Sequence, residues 1–78
     1  MSQSVVIYTK NGCMQCRMTK KFLQAHHVNF EEHNINQHPE YLSYLKNQGF
    51  QSLPVVLTNN QAAIIGFRPD QLQEVIAK

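Results

Sequence analysis

The run Val5-Val6-Ile7-Tyr8 breaks at Asn11-Gly12, and an amphipathic helical pattern opens directly after it with Cys13. A nearly continuous, β-branched apolar run is what a strand buried on both faces requires. The rest of the chain must therefore supply cover on both sides of that strand. From Cys13 to His26, the residues Met14, Met18, Phe22 and Ala25 recur at spacings of four, four and three, with Cys16, Thr19 and Leu23 beside them. Arg17, Lys20, Lys21 and Gln24 take the opposite side. The spacing predicts an amphipathic helix with the Met14 stripe turned inward and both cysteines at its start.

Val28 to about Asn34 predicts a weaker strand through the alternation of Val28 and Phe30. Pro39 at a first helical position, followed by Glu40, opens a second helix with Tyr41, Leu42 and Leu45 inward. Gly49 suits a left-handed close. Pro54 precedes the strand Val55-Val56-Leu57, Asn59-Asn60 suits a tight hairpin turn, and Ala62–Ile65 returns as a strand ended by Gly66. Pro69 and Asp70 start a last helix with Leu72, Val75 and Ile76 inward. The order is β-α-β-α-β-β-α. Its opening strand-helix-strand unit calls for a parallel pair with a right-handed crossover. The expected architecture is an α/β fold, a four-stranded mixed sheet flanked by three helices.

A chain of 78 residues is expected to form one domain, residues 1–78. No segment approaches the about 18 apolar residues of a membrane span, and Met1–Ser4 lacks the basic start and apolar run of a signal peptide. A cytoplasmic protein is expected, with no membrane partner. The net charge of +2 does not call for nucleic acid. Its distribution is uneven: Lys10, Arg17, Lys20 and Lys21 meet no acid within residues 1–30. The basic half is the half that carries the cysteines, and this face suits an acidic partner surface as well as plain solvation.

The chain has two cysteines, Cys13 and Cys16. A bridge across so short a loop constrains the unfolded chain little, which makes the pair a poor staple. Cys-x-x-Cys placed after a strand and opening a helix is instead the pattern of dithiol redox chemistry. The first N–H groups of a helix lack partners and point at whatever sits at its N-terminus. A sulfur there is stabilised as the attacking thiolate, with Lys10 and Arg17 close in sequence to help. Cys13 is accordingly the expected nucleophile, and Cys16, one turn on, the resolving thiol. No carboxylate stands near the motif in sequence to accept a proton from Cys16. The competing use of the pair is zinc, in a small binding or interaction module. Zinc needs four ligands, and His26, His27, His33 and His38 would have to complete the set, yet the helical pattern fills the gap between Cys16 and His26. No metal is expected.

Tyr8-Thr9-Lys10 before the motif, Leu53-Pro54-Val55 after it and Gly66 at the end of the hairpin resemble a glutaredoxin. Cys13-Met14-Gln15-Cys16 together with Gly66-Phe67-Arg68-Pro69-Asp70 resembles, more narrowly, the NrdH-redoxins, over essentially Val5 to Ile76. The resemblance implies a thioredoxin/glutaredoxin-like fold and a protein disulfide reductase that binds no cofactor. It implies reduction by thioredoxin reductase, with NADPH used indirectly, and delivery of electrons to the class Ib ribonucleotide reductase large subunit. It further implies a cis-proline at Pro54, facing the disulfide and placing the Leu53 backbone beside a client's extended segment. A monomer is expected.

The chain departs from that family at Ile64-Ile65, where Trp-Ser is usual. Phe67 takes the place of a second glycine that helps glutaredoxins admit glutathione, which argues against a tight glutathione site. A glutathione-dependent glutaredoxin is the alternative, since Lys10 and Asp70 stand at places glutaredoxins use. Met14 suits either an apolar partner contact or simple packing. Phe67 and Arg68 suit either the partner groove or, respectively, the core and a solvated charge.

Overall fold

The computed structural model describes residues 5–59 and 62–76. The opening run forms β1 (Val5–Thr9), and β1 is an inner strand of a four-stranded sheet ordered β2-β1-β3-β4. It pairs in parallel with β2 (Glu31–Asn34) and antiparallel with β3 (Val55–Thr58), which pairs antiparallel with β4 (Ile64–Ile65). The helices α1 (Met14–Ala25), α2 (Glu40–Asn47) and α3 (Pro69–Ile76) complete the expected order. This is the four-stranded mixed sheet with three helices that the sequence predicts, and the thioredoxin/glutaredoxin-like arrangement that the resemblance implies.

Strand alternation divides the core into two layers. Val5 and Ile7 on β1 join Val56, Ile64, and Leu23, Leu72 and Val75 from α1 and α3. Tyr8, facing the other way, joins Val55 and Leu45 of α2. Around Tyr8 an aromatic cluster forms on the α2 side. Tyr41 meets it edge-on at 5.8 Å, Tyr44 stacks at 5.8 Å, and His33 meets it edge-on at 5.0 Å.

Several sequence expectations shift. Leu42 of α2 is 40% exposed, leaving Leu45 as that helix's buried residue, and the returning strand is only Ile64–Ile65, not Ala62–Ile65. The inward face of α1 is Cys16, Thr19 and Leu23; of the stripe Met14, Met18, Phe22 and Ala25, only Phe22 packs against the core, from its margin. Met14 is 63% exposed and Met18 38%, whereas Leu23 is fully enclosed. The two stripes lie side by side on the helix. The docking of α1 against α3 and β1 selects the one carrying Leu23. Thr19 enters this apolar layer because its hydroxyl donates to the Gln15 carbonyl at 2.9 Å, which leaves that hydroxyl paired. The second strand starts later than expected, at Glu31. Val28 and Phe30 precede it and pack against the α1 layer as connecting residues.

Both early helices end in the same way. The Phe50 N–H donates to the Leu45 carbonyl at 3.0 Å and the Gly49 N–H to the Lys46 carbonyl at 3.1 Å, with Gly49 at φ 85°. That is the left-handed close expected at Gly49. At the end of α1 the same pair of bonds runs from Val28 to Leu23 and from His27 to Gln24, and His27 itself takes φ 60°. Of the expected hairpin turn, Asn60 lies outside the described residues.

Leu23→Ala should cost about 2–5 kcal/mol, the range for emptying a well-packed leucine site. Met18→Ala should change stability by no more than about 0.5 kcal/mol, as at an exposed site. Urea unfolding of both variants measures the difference; equal losses would place the methionine stripe inward after all.

Candidate active site

Cys13 is the cap of α1. Its backbone is extended, at φ −96° and ψ 109°, and its Sγ accepts the Cys16 N–H at 3.1 Å. Its carbonyl accepts the Arg17 N–H at 3.1 Å. A free helix-start donor is thus aimed at the sulfur, where cap positions ordinarily hold an oxygen. Cys13 and Cys16 form a disulfide with Cα atoms 5.2 Å apart, so the structure is that of the oxidised protein. Cys13 is partly exposed, while Cys16 is 2% exposed on the inward face of the helix. A thiolate at Cys13 would be held by the helix start and open to solvent on one side, which is the arrangement that makes a cysteine reactive.

The loop delivering Cys13 is tied down by asparagines. The Asn11 N–H donates to Asn36 Oδ1 at 2.7 Å, and Asn34 Nδ2 donates to Asn11 Oδ1 at 3.1 Å. Asn34 Oδ1 in turn accepts the Asn36 N–H at 2.8 Å, bending the chain after β2. These polar residues carry no signature in a single sequence beyond their taste for turns. Their pairing depends on β1 and β2 ending side by side.

The other expected site residues divide. The Leu53–Pro54 peptide is cis and Pro54 is buried. The Pro54 carbonyl accepts the Gly66 N–H at 2.9 Å. A side chain built on Gly66, which sits at φ 84°, would stand 3.6 Å from Gln15 Oε1. Gly66 therefore joins Pro54 to Gln15, which lies between the two cysteines in the chain. Leu53 and Lys10 line a cleft of about 520 Å³ shared with Leu42, Lys46 and Phe50. Met14 stands out in solvent at the tip of α1. Phe67 meets Phe22, with ring centroids 6.2 Å apart, and packs against the core. Arg68 is exposed, its Nε donating to the Ile65 carbonyl at 3.4 Å.

One carboxylate does reach the site. Glu32, on β2, lines a small polar cleft of about 180 Å³ with Cys13, Cys16, Lys10, Arg17 and Lys20. Its Oε2 accepts from Thr9 Oγ1 at 2.7 Å and from Lys20 Nζ at 2.9 Å. Burial works to raise its pKa, but the Thr9 and Lys20 hydrogen bonds and the Lys20 charge outweigh it and hold the carboxyl below its ordinary value. The signal that could have found Glu32 is the parallel register. Glu32 pairs with Ile7 and so shares the α1 face of the sheet with Ile7 and Thr9.

The glutaredoxin family model matches residues 5–63. The "Glutaredoxin-like protein NrdH" of Lactococcus lactis subsp. lactis is 42% identical over 71 residues, covering 91% of this chain and 97% of that protein. The chain belongs to the glutaredoxin family, in its NrdH branch. The solved NrdH-redoxin from Escherichia coli superposes with a TM-score of 0.86 at 38% identity, covering 92% of this chain and 93% of that one. The glutaredoxin from Archaeoglobus fulgidus gives 0.80 at 26% identity, covering 96% and 87%. Like its NrdH relatives, the protein is a thiol-disulfide oxidoreductase built around a Cys-x-x-Cys pair. In this NrdH redoxin no described helix is long and apolar enough to cross a membrane. Among the described residues no cluster of three or more His, Cys, Asp or Glu is placed to hold a metal ion.

The lowered Glu32 pKa fixes the sign of a pH effect. A carboxyl whose folded pKa lies below its unfolded value stabilises the fold above the ordinary value of 4.5 and loses that contribution as pH falls through the folded one. Thermal midpoints should therefore fall more between pH 6 and pH 3, taken as roughly the span of carboxylate titration, in the wild type than in Glu32→Gln. Parallel profiles for the two proteins would show that Glu32 contributes nothing of this kind.

Proposed function

We propose that the protein is a cytoplasmic, monomeric, single-domain electron carrier, reduced by thioredoxin reductase and supplying the class Ib ribonucleotide reductase large subunit. Cys13 is the nucleophile and Cys16 the resolving thiol. The observation that carries this order is the difference between the two sulfurs: Cys13 is accessible and accepts a helix-start N–H, whereas Cys16 is enclosed.

In the cycle, the Cys13 thiolate attacks one sulfur of the client disulfide. The client S–S bond breaks, and the departing thiolate takes a proton from solvent. Cys16 loses its proton and attacks Cys13 Sγ. The mixed disulfide breaks, and the second client sulfur leaves and is protonated. The net result is a client dithiol and the Cys13–Cys16 disulfide seen here. Thioredoxin reductase then returns two electrons, drawn from NADPH, and two protons complete the dithiol; the carrier itself holds no cofactor.

An extended client segment pairs with the Leu53 backbone beside Pro54, with Lys10 at the rim of the neighbouring cleft and exposed Met14 as an apolar contact. Arg68 lies at the margin of this surface. Phe67 acts from behind it, filling against Phe22 the place where glutaredoxins have a second glycine. Support for recycling by thioredoxin reductase, and not by glutathione, comes from the E. coli NrdH-redoxin, a glutaredoxin-like protein described as having a thioredoxin-like activity profile.

NADPH oxidation at fixed disulfide substrate should proceed with thioredoxin reductase alone. Turnover only through glutathione and glutathione reductase would make the protein a glutathione-dependent glutaredoxin, and stoichiometric zinc in the reduced protein would revive the binding module. Cys13→Ser should reduce turnover to background, and Cys16→Ser should trap the client as a mixed disulfide visible by mass spectrometry. Wild-type turnover by Cys16→Ser without glutathione would remove the resolving role. Client binding should weaken with salt if the basic face of Arg17, Lys20 and Lys21 meets an acidic surface.

A further inference from the structure

Three cations and one carboxylate face the small cleft that holds the cysteines. Lys10 comes from the loop after β1, Arg17 and Lys20 from α1, and Glu32 from β2. The redox couple reacts to such charges on one side only. The disulfide is uncharged, whereas the reduced form carries a thiolate once Cys13 has given its proton to solvent. Cations in the cleft therefore stabilise the reduced form and make the carrier a weaker reductant; an anion does the reverse. Left to the helix start and three cations, the pair would be poised toward staying reduced, a poor state for a donor.

Glu32 is built into this cleft. It is the carboxylate partner of Lys20 at 2.9 Å, and Thr9, a 1% exposed residue of β1, fixes its orientation at 2.7 Å. The rotamer is held from both neighbouring elements, so the negative charge stands at a defined place beside the sulfurs. We propose that Glu32 sets the reduction potential of the Cys13–Cys16 couple: by neutralising Lys20 within the cleft it keeps the dithiol a strong electron donor. Glu32 touches neither sulfur and acts as a positioning residue through charge.

The test uses the full-length protein. Glu32→Gln keeps an oxygen for the Thr9 hydroxyl while removing the charge. The thiolate absorbance titration of the reduced variant should shift to lower pH, raising the acid constant about threefold to tenfold. Above that titration, equilibrium with a glutathione redox buffer should move by the same factor toward the dithiol, tenfold being about 30 mV for a two-electron couple. Lys20→Gln should shift both readouts in the opposite direction, and the double variant should return close to the wild type. Opposite signs from two partners of one ion pair are not what structural damage produces. Unchanged potentials in both variants would overturn the proposal. So would an equal shift in Glu74→Gln, a carboxylate on α3 away from the cleft, since that would reveal only net charge.

The inference rests on Cys13 bearing the thiolate. If the titration survives in Cys13→Ser and vanishes in Cys16→Ser, the assignment of roles fails. The potential arm still reads the effect of Glu32 on its own.

Discussion

The placement of β1 inside the sheet governs the rest of the molecule. Val5 and Ile7 face α1 and α3, while Tyr8 faces α2, so both surfaces of the strand are covered. Its two edges are taken by β2 and β3. A strand so enclosed has no freedom at its C-terminal end, and the chain emerging from Thr9 must leave at one fixed point. After three residues, Lys10, Asn11 and Gly12, it becomes the cap of α1. The redox pair is thus anchored at the carboxyl edge of a parallel unit, where open α/β sheets commonly place their chemistry.

The asparagine contacts extend that anchoring from backbone to loop. Asn11 is held by Asn34 and Asn36, which lie just beyond the end of the adjoining strand. On the far side, Gly66 bonds to Pro54 and leaves room for Gln15. Cys13 is thereby presented by a frame with supports on both sides. This suits thiol exchange, in which three sulfurs must approach in line and little is gained from a mobile loop.

Much of this was legible in the residues. The element order, the cysteines at the start of a helix, the left-handed Gly49 and the parallel opening pair follow from local pattern and turn chemistry. The inward face of α1 did not, because Met14-Met18-Phe22 and Cys16-Thr19-Leu23 lie side by side, and only contact with α3 and β1 separates them. A threonine in the buried stripe weakened the true signal further. Glu32 escaped for a different reason. It lies far along the chain from the cysteines, and its place depends on a strand register that the sequence near the motif does not encode. Phe67 suits groove and core equally by residue type, and only its contact with Phe22 in the fold assigns it to the core.

The aromatic cluster around Tyr8 has a spectroscopic consequence. The chain has three tyrosines and no tryptophan, and Tyr8, Tyr41 and Tyr44 all gather on the α2 side of the sheet. Near-ultraviolet emission from this protein is therefore tyrosine emission, and its source is one packed cluster away from the α1 face that carries the cysteines. The signal reports the docking of α2. In a mixture with a tryptophan-bearing reductase or client, excitation at the red edge of the indole band leaves the carrier dark, and the partner's own fluorescence can be followed without subtraction.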